Sequence, residues 1–222
     1  MKNVKGFFAY DGPLQTFLSN LIDVFLVTLF WIVFSIPVVT AGAASAAMYD
    51  TIRRVLDEER GYLWRTFFNS FKSNFRVATP AWLVHLLIFA VMFIDQLIIS
   101  LGLKQGGAFP VLYYLNMIFM LMVIVWEEYT YAYISRFEDR SMHSLKNGIL
   151  LMLGNFGWSL LLMLVLVGAY VLVMRVSPAF LVILPAIVCW INVKIIERVF
   201  KKLIPDRQNP KEGEETGKQA EE

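Results

Sequence analysis

Ionisable and amide side chains set inside long apolar runs are the residues of this chain that could do chemistry. They form an early set and a late set: Asp23, Asp95, Gln96 and Asn116, then Glu127, Glu128, Lys194 and Arg198. If the runs cross a bilayer, an ionised side chain at mid-depth costs roughly 2.5 to 3.5 kcal/mol and tends to persist only when it is paired or hydrated. Carboxylates there could bind a cation or sugar hydroxyls, and acids beside bases could form ion pairs or relay a proton.

The elements that must position these side chains are predicted to be membrane-spanning helices. The sequence is 58% apolar and only 17% charged, whereas soluble domains carry roughly 25% charged residues. Five apolar segments reach the roughly 17 to 25 residues that a helix needs to cross a hydrocarbon core: 18–39, 81–101, 111–133, 148–174 and 179–196. The third and fifth are weaker because Glu127, Glu128 and Lys194 fall inside them. The fold class is predicted to be all-α, a polytopic helical membrane protein with five transmembrane helices.

The distribution of Lys and Arg predicts the orientation. Sixteen of the twenty cations lie after the first or third segment or at and beyond the end of the fifth, where Lys194 is included, and four lie elsewhere. Cytoplasmic loops carry the excess of Lys and Arg in membrane proteins. The N-terminus is therefore predicted to lie outside a bacterial cell membrane and the C-terminus in the cytoplasm. A cleaved signal peptide is an alternative for the first segment, but its apolar run exceeds the about 7 to 15 residues of a signal core.

The longest connection predicts a cytoplasmic helical elbow over residues 42–76, between the first two spans. Gly42 and Ala46 stand four residues apart there, a spacing that allows close helix packing. Aromatic residues at helical spacing run beside a cationic stripe: Trp64, Phe68, Phe71 and Phe75 with Arg65, Lys72 and Arg76. The pattern is typical of a helix that lies in the headgroup plane. We interpret the segment as an interfacial anchor, with a docking surface for a cytoplasmic partner as the alternative.

With this orientation the early polar set falls in the outer half of the membrane and the late set in the inner half. A small cavity with two carboxylates is one interpretation of the outer set. The favoured interpretation is that Asp23 and Asp95 reach headgroup water from near the ends of their spans. In the inner set, Glu127 and Glu128 match the depth of Lys194 and Arg198. This match predicts a structural ion pair rather than a proton relay.

Other features exclude whole classes of function. The formal net charge of +2 gives no basic field for a nucleic-acid partner, and Cys189 has no second cysteine with which to form a disulfide. There is no phosphate-binding glycine loop, no Gly-x-Ser-x-Gly and no His-Glu-x-x-His, so we expect no enzyme, no cofactor and no metal site. Residues 1–205 are predicted to form a single helical membrane domain. Residues 206–222 are predicted to be a disordered cytoplasmic tail.

Three stretches carry a resemblance to a known family. They are SIPVVTAGAAS at residues 35–45, GYLWRTFFNSFKSNFR at residues 61–76, and Arg136-Phe-Glu with Leu145-Lys-Asn. In these the chain resembles the YesL family of bacterial membrane proteins, whose function is unknown. The resemblance implies a helical membrane protein without catalytic residues to transfer. The family's genes often lie beside sugar ABC transporters and two-component sensors, which implies a role in carbohydrate acquisition by association.

Two functional hypotheses follow. The first is a non-catalytic accessory or regulatory protein of a bacterial carbohydrate uptake or sensing system. Its partners would be the lipid bilayer and a sugar ABC transporter or a two-component sensor. The alternative is a small carrier that uses Asp23 and Asp95, although the sequence shows no inverted repeat of the kind that carriers have.

Overall fold

The computed structural model describes residues 13–57, 62–103, 106–175 and 184–203, without the side chains of residues 13–21 and 203. These parts of the chain are almost entirely helical, which confirms the all-α class. The α-helices are, in chain order, α1 (Pro13–Ser35), α2 (Ala41–Thr51), α3 (Leu63–Gly102), α4 (Phe109–Ile134), α5 (Ser141–Gly154), α6 (Phe156–Arg175) and α7 (Leu184–Leu203). A 3-10 turn, Val38–Thr40, precedes α2, and a π-helical turn, Ile52–Asp57, continues it.

Among the described residues, three helices are long and apolar enough to cross a membrane, namely α3, α4 and α6. They contain most of the second, third and fourth predicted spans. The other two predicted spans are not confirmed. The described apolar part of α1, Ile22–Ser35, is shorter than a span, and residues 179–183 of the fifth predicted span lie outside the described residues.

The helix α2 lies in the interior, although its sequence was predicted to belong to an interfacial elbow. Nine of its eleven residues are buried, and it packs along α3 with further contacts to α1, α4 and α7. A Cβ atom on Gly42 would collide with the Cβ of Trp82 and lie 2.9 Å from the Ala78 carbonyl oxygen. This confirms the predicted close packing at Gly42. It also corrects the elbow, because α2 is a core helix.

The second half of the predicted elbow is corrected as well. Residues 63–76 are the beginning of α3, which continues through Pro80 as one helix to Gly102. The proline removes one hydrogen bond without ending the helix. The forty residues of α3 extend about 60 Å, roughly twice the thickness of a hydrocarbon core. The predicted interfacial helix and the second predicted span are therefore parts of a single element.

The predicted fourth span is interrupted near its beginning. α5 ends at Gly154, α6 begins at Phe156, and Asn155 between them has φ −124° and ψ 49°. Two polar side chains bind carbonyl groups around the break, since Asn155 Nδ2 donates to Leu151 O at 3.1 Å and Ser159 Oγ donates to Met152 O at 2.7 Å. Gly and Asn are weak helix formers. The helix that can cross the membrane is therefore Phe156–Arg175 and not 148–174.

The helix α1 points in the same direction as α3. The 3-10 turn after α1 meets the middle of α3, where Trp82 Nε1 donates to Val38 O at 2.7 Å. From there α2 returns antiparallel to α3, from Gly42 beside Trp82 to Asp50 in one cleft with Asn74. The beginning of α1 and the beginning of α3 therefore lie at the same end of the bundle.

The end of α7 lies at this end too. α4 runs back along α3, so that Ile134 shares a cleft with Asn74, and Arg136, just after α4, pairs with Glu197 of α7. This arrangement differs from the predicted orientation, which separates the two termini across the membrane. The predicted tail, residues 206–222, lies outside the described residues, and its disorder stays a prediction, as does the single domain over residues 1–205.

Candidate functional site

A buried polar network joins α2, the end of α4 and α7. The Arg136 guanidinium forms an ion pair with Glu197, with Nε donating to Oε1 at 3.1 Å and Nη2 donating to Oε2. Tyr49 Oη donates to the same Oε1 at 3.3 Å. Burial raises the pKa of Tyr49 well above its ordinary value, so the hydroxyl keeps the proton that it donates. The network connects three parts of the chain that are distant in sequence.

A polar cleft of about 360 Å³ lies beside this network. Its charged lining residues are Asp50, Arg54, Arg136, Glu138 and Asp139. Asp50 Oδ1 accepts hydrogen bonds from Arg53 at 2.7 Å and from Arg54 at 2.9 Å. The backbone N–H of Arg140 donates to Asp139 at 2.7 Å and lowers the pKa of that carboxyl group. The cleft therefore presents both signs of charge, with at least two of its acids already bound.

The aromatic residues predicted to enter the membrane pack partly against α1. The ring of Phe34 in α1 lies 4.8 Å from that of Phe71 and 5.3 Å from that of Phe68, between centroids. Trp64, Phe68 and Phe75 keep exposed fractions of 61%, 39% and 37%. Contact with α1 thus takes up part of the surface that the anchor interpretation assigned to lipid.

Arg65, Lys72 and Arg76 are all exposed and lie on one face of α3, and we call them the basic stripe. Further along the same face, Pro80 and Leu83 are also exposed. The face thus changes from cationic to apolar between Arg76 and Pro80. Such a change is expected where a helix passes from the headgroup region into hydrocarbon.

The predicted ion pairs of Glu127 and Glu128 with Lys194 and Arg198 do not form among the described residues. Both cations lie on the exposed face of α7, and Lys194 Nζ is 4.5 Å from the centroid of the Trp190 ring. The depths were matched in the prediction, but α7 packs its opposite face into the bundle. Depth alone could not show which face of the helix carries the cations.

Glu127 and Glu128 instead line a cavity of about 340 Å³ between α1, α2, α3, α4 and α7. Tyr131 Oη donates to Glu127 Oε1 at 2.7 Å. Asn192 of α7 is fully buried and lies beside Glu128. The sequence indicated the two acids because they lie in an apolar run, but it did not indicate that a cavity lies beside them.

The predicted outer cluster is assembled only in part. Asn116 Nδ2 donates to Gln96 Oε1 at 2.7 Å, which joins α4 to α3. Asp95 is exposed and Asp23 is half-buried. No hydrogen bond or ion pair connects either carboxylate to this cluster in the part of the chain described. α1 and α3 point the same way, and Val38, just after α1, contacts Trp82 in the middle of α3. Asp23 therefore lies on the side of this contact where both helices begin, whereas Asp95 lies on the opposite side, toward the end of α3.

Residues 24–96 match a family model described as "Protein of unknown function, DUF624". These residues are a DUF624 segment. The family is the YesL-type family of bacterial membrane proteins of unknown function, which confirms the predicted resemblance. None of the curated proteins and none of the solved structures matches the chain.

The DUF624 segment contains part of α1, all of α2, and α3 as far as Gln96. It therefore includes the ring contacts between α1 and α3, the close approach at Gly42 and the basic stripe. The segment is bound to the rest of the chain through Tyr49, whose acceptor Glu197 also binds Arg136. The sequence analysis missed this network, because partners 61 and 148 residues apart share no spacing that a motif could reveal.

Proposed function

We propose that this protein is a non-catalytic membrane protein of the bacterial cell membrane that serves as an accessory or regulatory component of a carbohydrate uptake or sensing system. The proposed partner is a sugar ABC transporter, with a two-component sensor as the alternative. The link to carbohydrate rests on the family resemblance. The proposed manner of docking rests on the basic stripe.

The observation that carries the docking proposal is the exposure of the basic stripe on an element continuous with a membrane-crossing helix. Because α3 is a single helix, Arg65, Lys72 and Arg76 keep a defined direction relative to its apolar half. The contacts of Phe34 with Phe68 and Phe71 attach this part of α3 to α1. An acidic surface on the partner complements such a stripe, and complementarity of this kind favours correct encounter more than it adds affinity.

The proposed orientation follows from the cations at one end of the bundle. Three groups of cations lie toward the end of the bundle where α1 and α3 begin: the basic stripe, Arg136, and Lys201 in the last turn of α7. Arg175 lies apart from them, at the end of α6. Under the positive-inside rule the cation-rich end is cytoplasmic. Both the beginning of α1 and the end of α7 would then face the cytoplasm.

Co-purification from native membranes in mild detergent tests this function. We expect subunits of a sugar ABC transporter or a sensor kinase to purify with the tagged protein, identified by mass spectrometry. The triple reversal R65E/K72E/R76E should remove them, since exposed ion pairs worth about 0 to 1 kcal/mol each would be replaced by repulsion. The matched control K201E/K202E reverses two exposed cations of α7 and should retain the complex. Failure of such subunits to purify with the unaltered protein would exclude the accessory role, and survival of the complex in the triple variant would exclude the stripe.

A small carrier is the second candidate. A carrier that uses Asp23 and Asp95 is not supported, because the two carboxylates lie apart. The cavity lined by Glu127 and Glu128 instead favours a carrier that uses Glu127 and Glu128. Uptake into proteoliposomes distinguishes the two forms. Loss of uptake in D23N/D95N supports the first form, and loss in E127Q/E128Q supports the second.

A further inference from the structure

The cavity that contains Glu127 and Glu128 has aromatic walls. Five rings from four helices line it: Trp31, Tyr49, Trp82, Phe89 and Tyr131. Most of the remaining lining is aliphatic or small, from α2, α4 and α7. Its volume of about 340 Å³ falls within the usual range for small-molecule sites, which are mostly apolar with a few polar groups.

The hydrogen-bond donors on the walls are already engaged. Trp31 Nε1 donates to Ser45 Oγ at 3.0 Å, and Trp82 Nε1 donates to the Val38 carbonyl oxygen at 2.7 Å. The hydroxyls of Tyr49 and Tyr131 donate to Glu197 and Glu127. The two carboxylates therefore keep accepting capacity while the rings around them offer no free donor.

The charge of the two carboxylates is also uncompensated. No salt bridge links Glu127 or Glu128 to a Lys or Arg among the described residues. Asn192 is fully buried beside Glu128 and offers that acid only a neutral amide. Buried charges in proteins are paired, so two acids without a counter-charge around this cavity indicate that a cationic ligand completes the site.

We propose that this cavity binds a small organic cation, an ammonium ion with alkyl substituents, between Glu127 and Glu128 and the surrounding rings. The carboxylates supply the counter-charge, and the ring faces attract the cation through their quadrupoles, as aromatic cages for quaternary ammonium groups do. A sugar would need donors as well as acceptors, and the donors of the rings are taken. Ca²⁺ and Mg²⁺ prefer six or more oxygen ligands, and no group of three His, Cys, Asp or Glu able to hold a metal ion occurs in the described part.

This inference is independent of the docking proposed for the basic stripe, which lies on the exposed face of α3. A binding measurement on the purified protein tests it without any partner or transport assay. Failure of the partner to co-purify would leave the cavity proposal intact. Failure to bind an ammonium ion would leave the docking proposal intact.

Isothermal titration in dodecyl maltoside with choline chloride is the experiment, because this detergent carries no ammonium group. The matched ligand is 3,3-dimethylbutan-1-ol, which has the shape of choline without its charge. We expect saturable binding of choline and at least tenfold weaker binding of the neutral alcohol, equivalent to about 1.4 kcal/mol. Choline without saturable heat, or an alcohol that binds equally well, would overturn the proposal.

Variants locate the binding within the cavity. E127Q/E128Q keeps the shape of both side chains and should weaken choline binding at least tenfold, about 1.4 kcal/mol, while D95N, at an exposed carboxylate of α3, should leave it unchanged. F89L removes one ring face without a change of charge and should weaken binding severalfold, so it tests the site even if the double variant does not fold. Binding that survives both E127Q/E128Q and F89L would contradict this location.

Discussion

Gly42 determines how closely α2 can approach α3. A side chain there would collide with the Cβ of Trp82 and press on the Ala78 carbonyl oxygen, and both belong to a long helix that cannot yield locally. We expect Gly42→Ala to lower the free energy of unfolding by roughly 1 to 3 kcal/mol, because the two helices must separate to admit the methyl group. Thermal unfolding in detergent, followed by fluorescence-detected size exclusion, measures the loss.

Gly168→Ala is the control for this substitution. Gly168 lies in α6, and nothing lies within 4 Å of the position of an added Cβ. Alanine is the better helix former, so the midpoint of unfolding should stay or rise. Equal losses in the two variants would contradict the explanation by close approach.

The Arg136–Glu197 pair predicts a second difference between variants. Only 6% of the Glu197 side chain and 15% of the Arg136 side chain are exposed, so Glu197→Gln removes one of the two charges of a mostly buried ion pair. Removing one partner of a buried pair costs about 3 to 5 kcal/mol, and we expect the lower end because Arg136 keeps some contact with solvent. The same unfolding assay measures this cost.

Two controls accompany Glu197→Gln. The double variant R136Q/E197Q removes both charges but keeps an acceptor for Tyr49, so it should recover part of the loss. Asp139→Asn changes a half-buried acid that contacts Arg140 and His143 and should have little effect. A double variant less stable than Glu197→Gln alone would show that the lost charge balance between Arg136 and Glu197 is not the cause.

At the scale of elements, the ring contacts between α1 and α3 indicate that the aromatic half of α3 packs against α1 as well as facing outward. Phe34 contacts Phe67, Phe68 and Phe71, whereas Phe25 on the same helix is 41% exposed. We expect Phe34→Ala to cost about 3 kcal/mol or more and Phe25→Ala to cost much less. Limited proteolysis between residues 57 and 63 should accelerate in the first variant only.

The opposite ranking would support the anchor interpretation. If Phe25→Ala lowered the stability and accelerated proteolysis while Phe34→Ala did not, contact with lipid rather than contact between helices would hold this part of the molecule.

Apolar length and turn residues were enough to predict the helices that can cross the membrane, because lipid-facing side chains such as Leu87 and Ile98 need only be hydrophobic. The burial of α2 could not be predicted in this way. Its Ala and Gly residues suit a surface elbow and a tight core equally well, and only contact with Trp82 distinguishes the two. The helix break at Asn155 could not be predicted either, since the carbonyl groups that Asn155 and Ser159 bind become visible only in three dimensions.

For the candidate site, too, one part could be predicted from the sequence and another could not. The position of Glu127 and Glu128 in an apolar run marked them as unusual, and that was visible from the residue types. Whether they face Lys194 or a cavity depends on the rotation of α7 about its axis, and a rotation of half a turn, about two residues, would exchange the exposed and buried faces. The pairing of Arg136 with Glu197 depends on the parallel packing of α4 and α7, for which no local signal exists.

At the scale of the whole molecule, the distribution of cations and the directions of the helices agree on one arrangement. If the beginning of α1 lies at the cation-rich end, Lys2 and Lys5 join the cytoplasmic group, and only Lys104 and Arg175 remain on the other side. The bias is then stronger than in the predicted arrangement with the N-terminus outside. The positive-inside rule, applied to the observed helix directions, thus favours two cytoplasmic termini.

Paired reporter fusions test this arrangement. Green fluorescent protein fluoresces when it remains in the cytoplasm, and alkaline phosphatase is active only after export. We expect fusions before Met1 and after Glu222 to fluoresce, because α1 and α3 point the same way and the end of α7 lies beside Arg136. A phosphatase inserted after Arg175, at the far end of α6, should be active. Phosphatase activity at the N-terminus would contradict this arrangement, because α1 would then cross the membrane against the direction of α3.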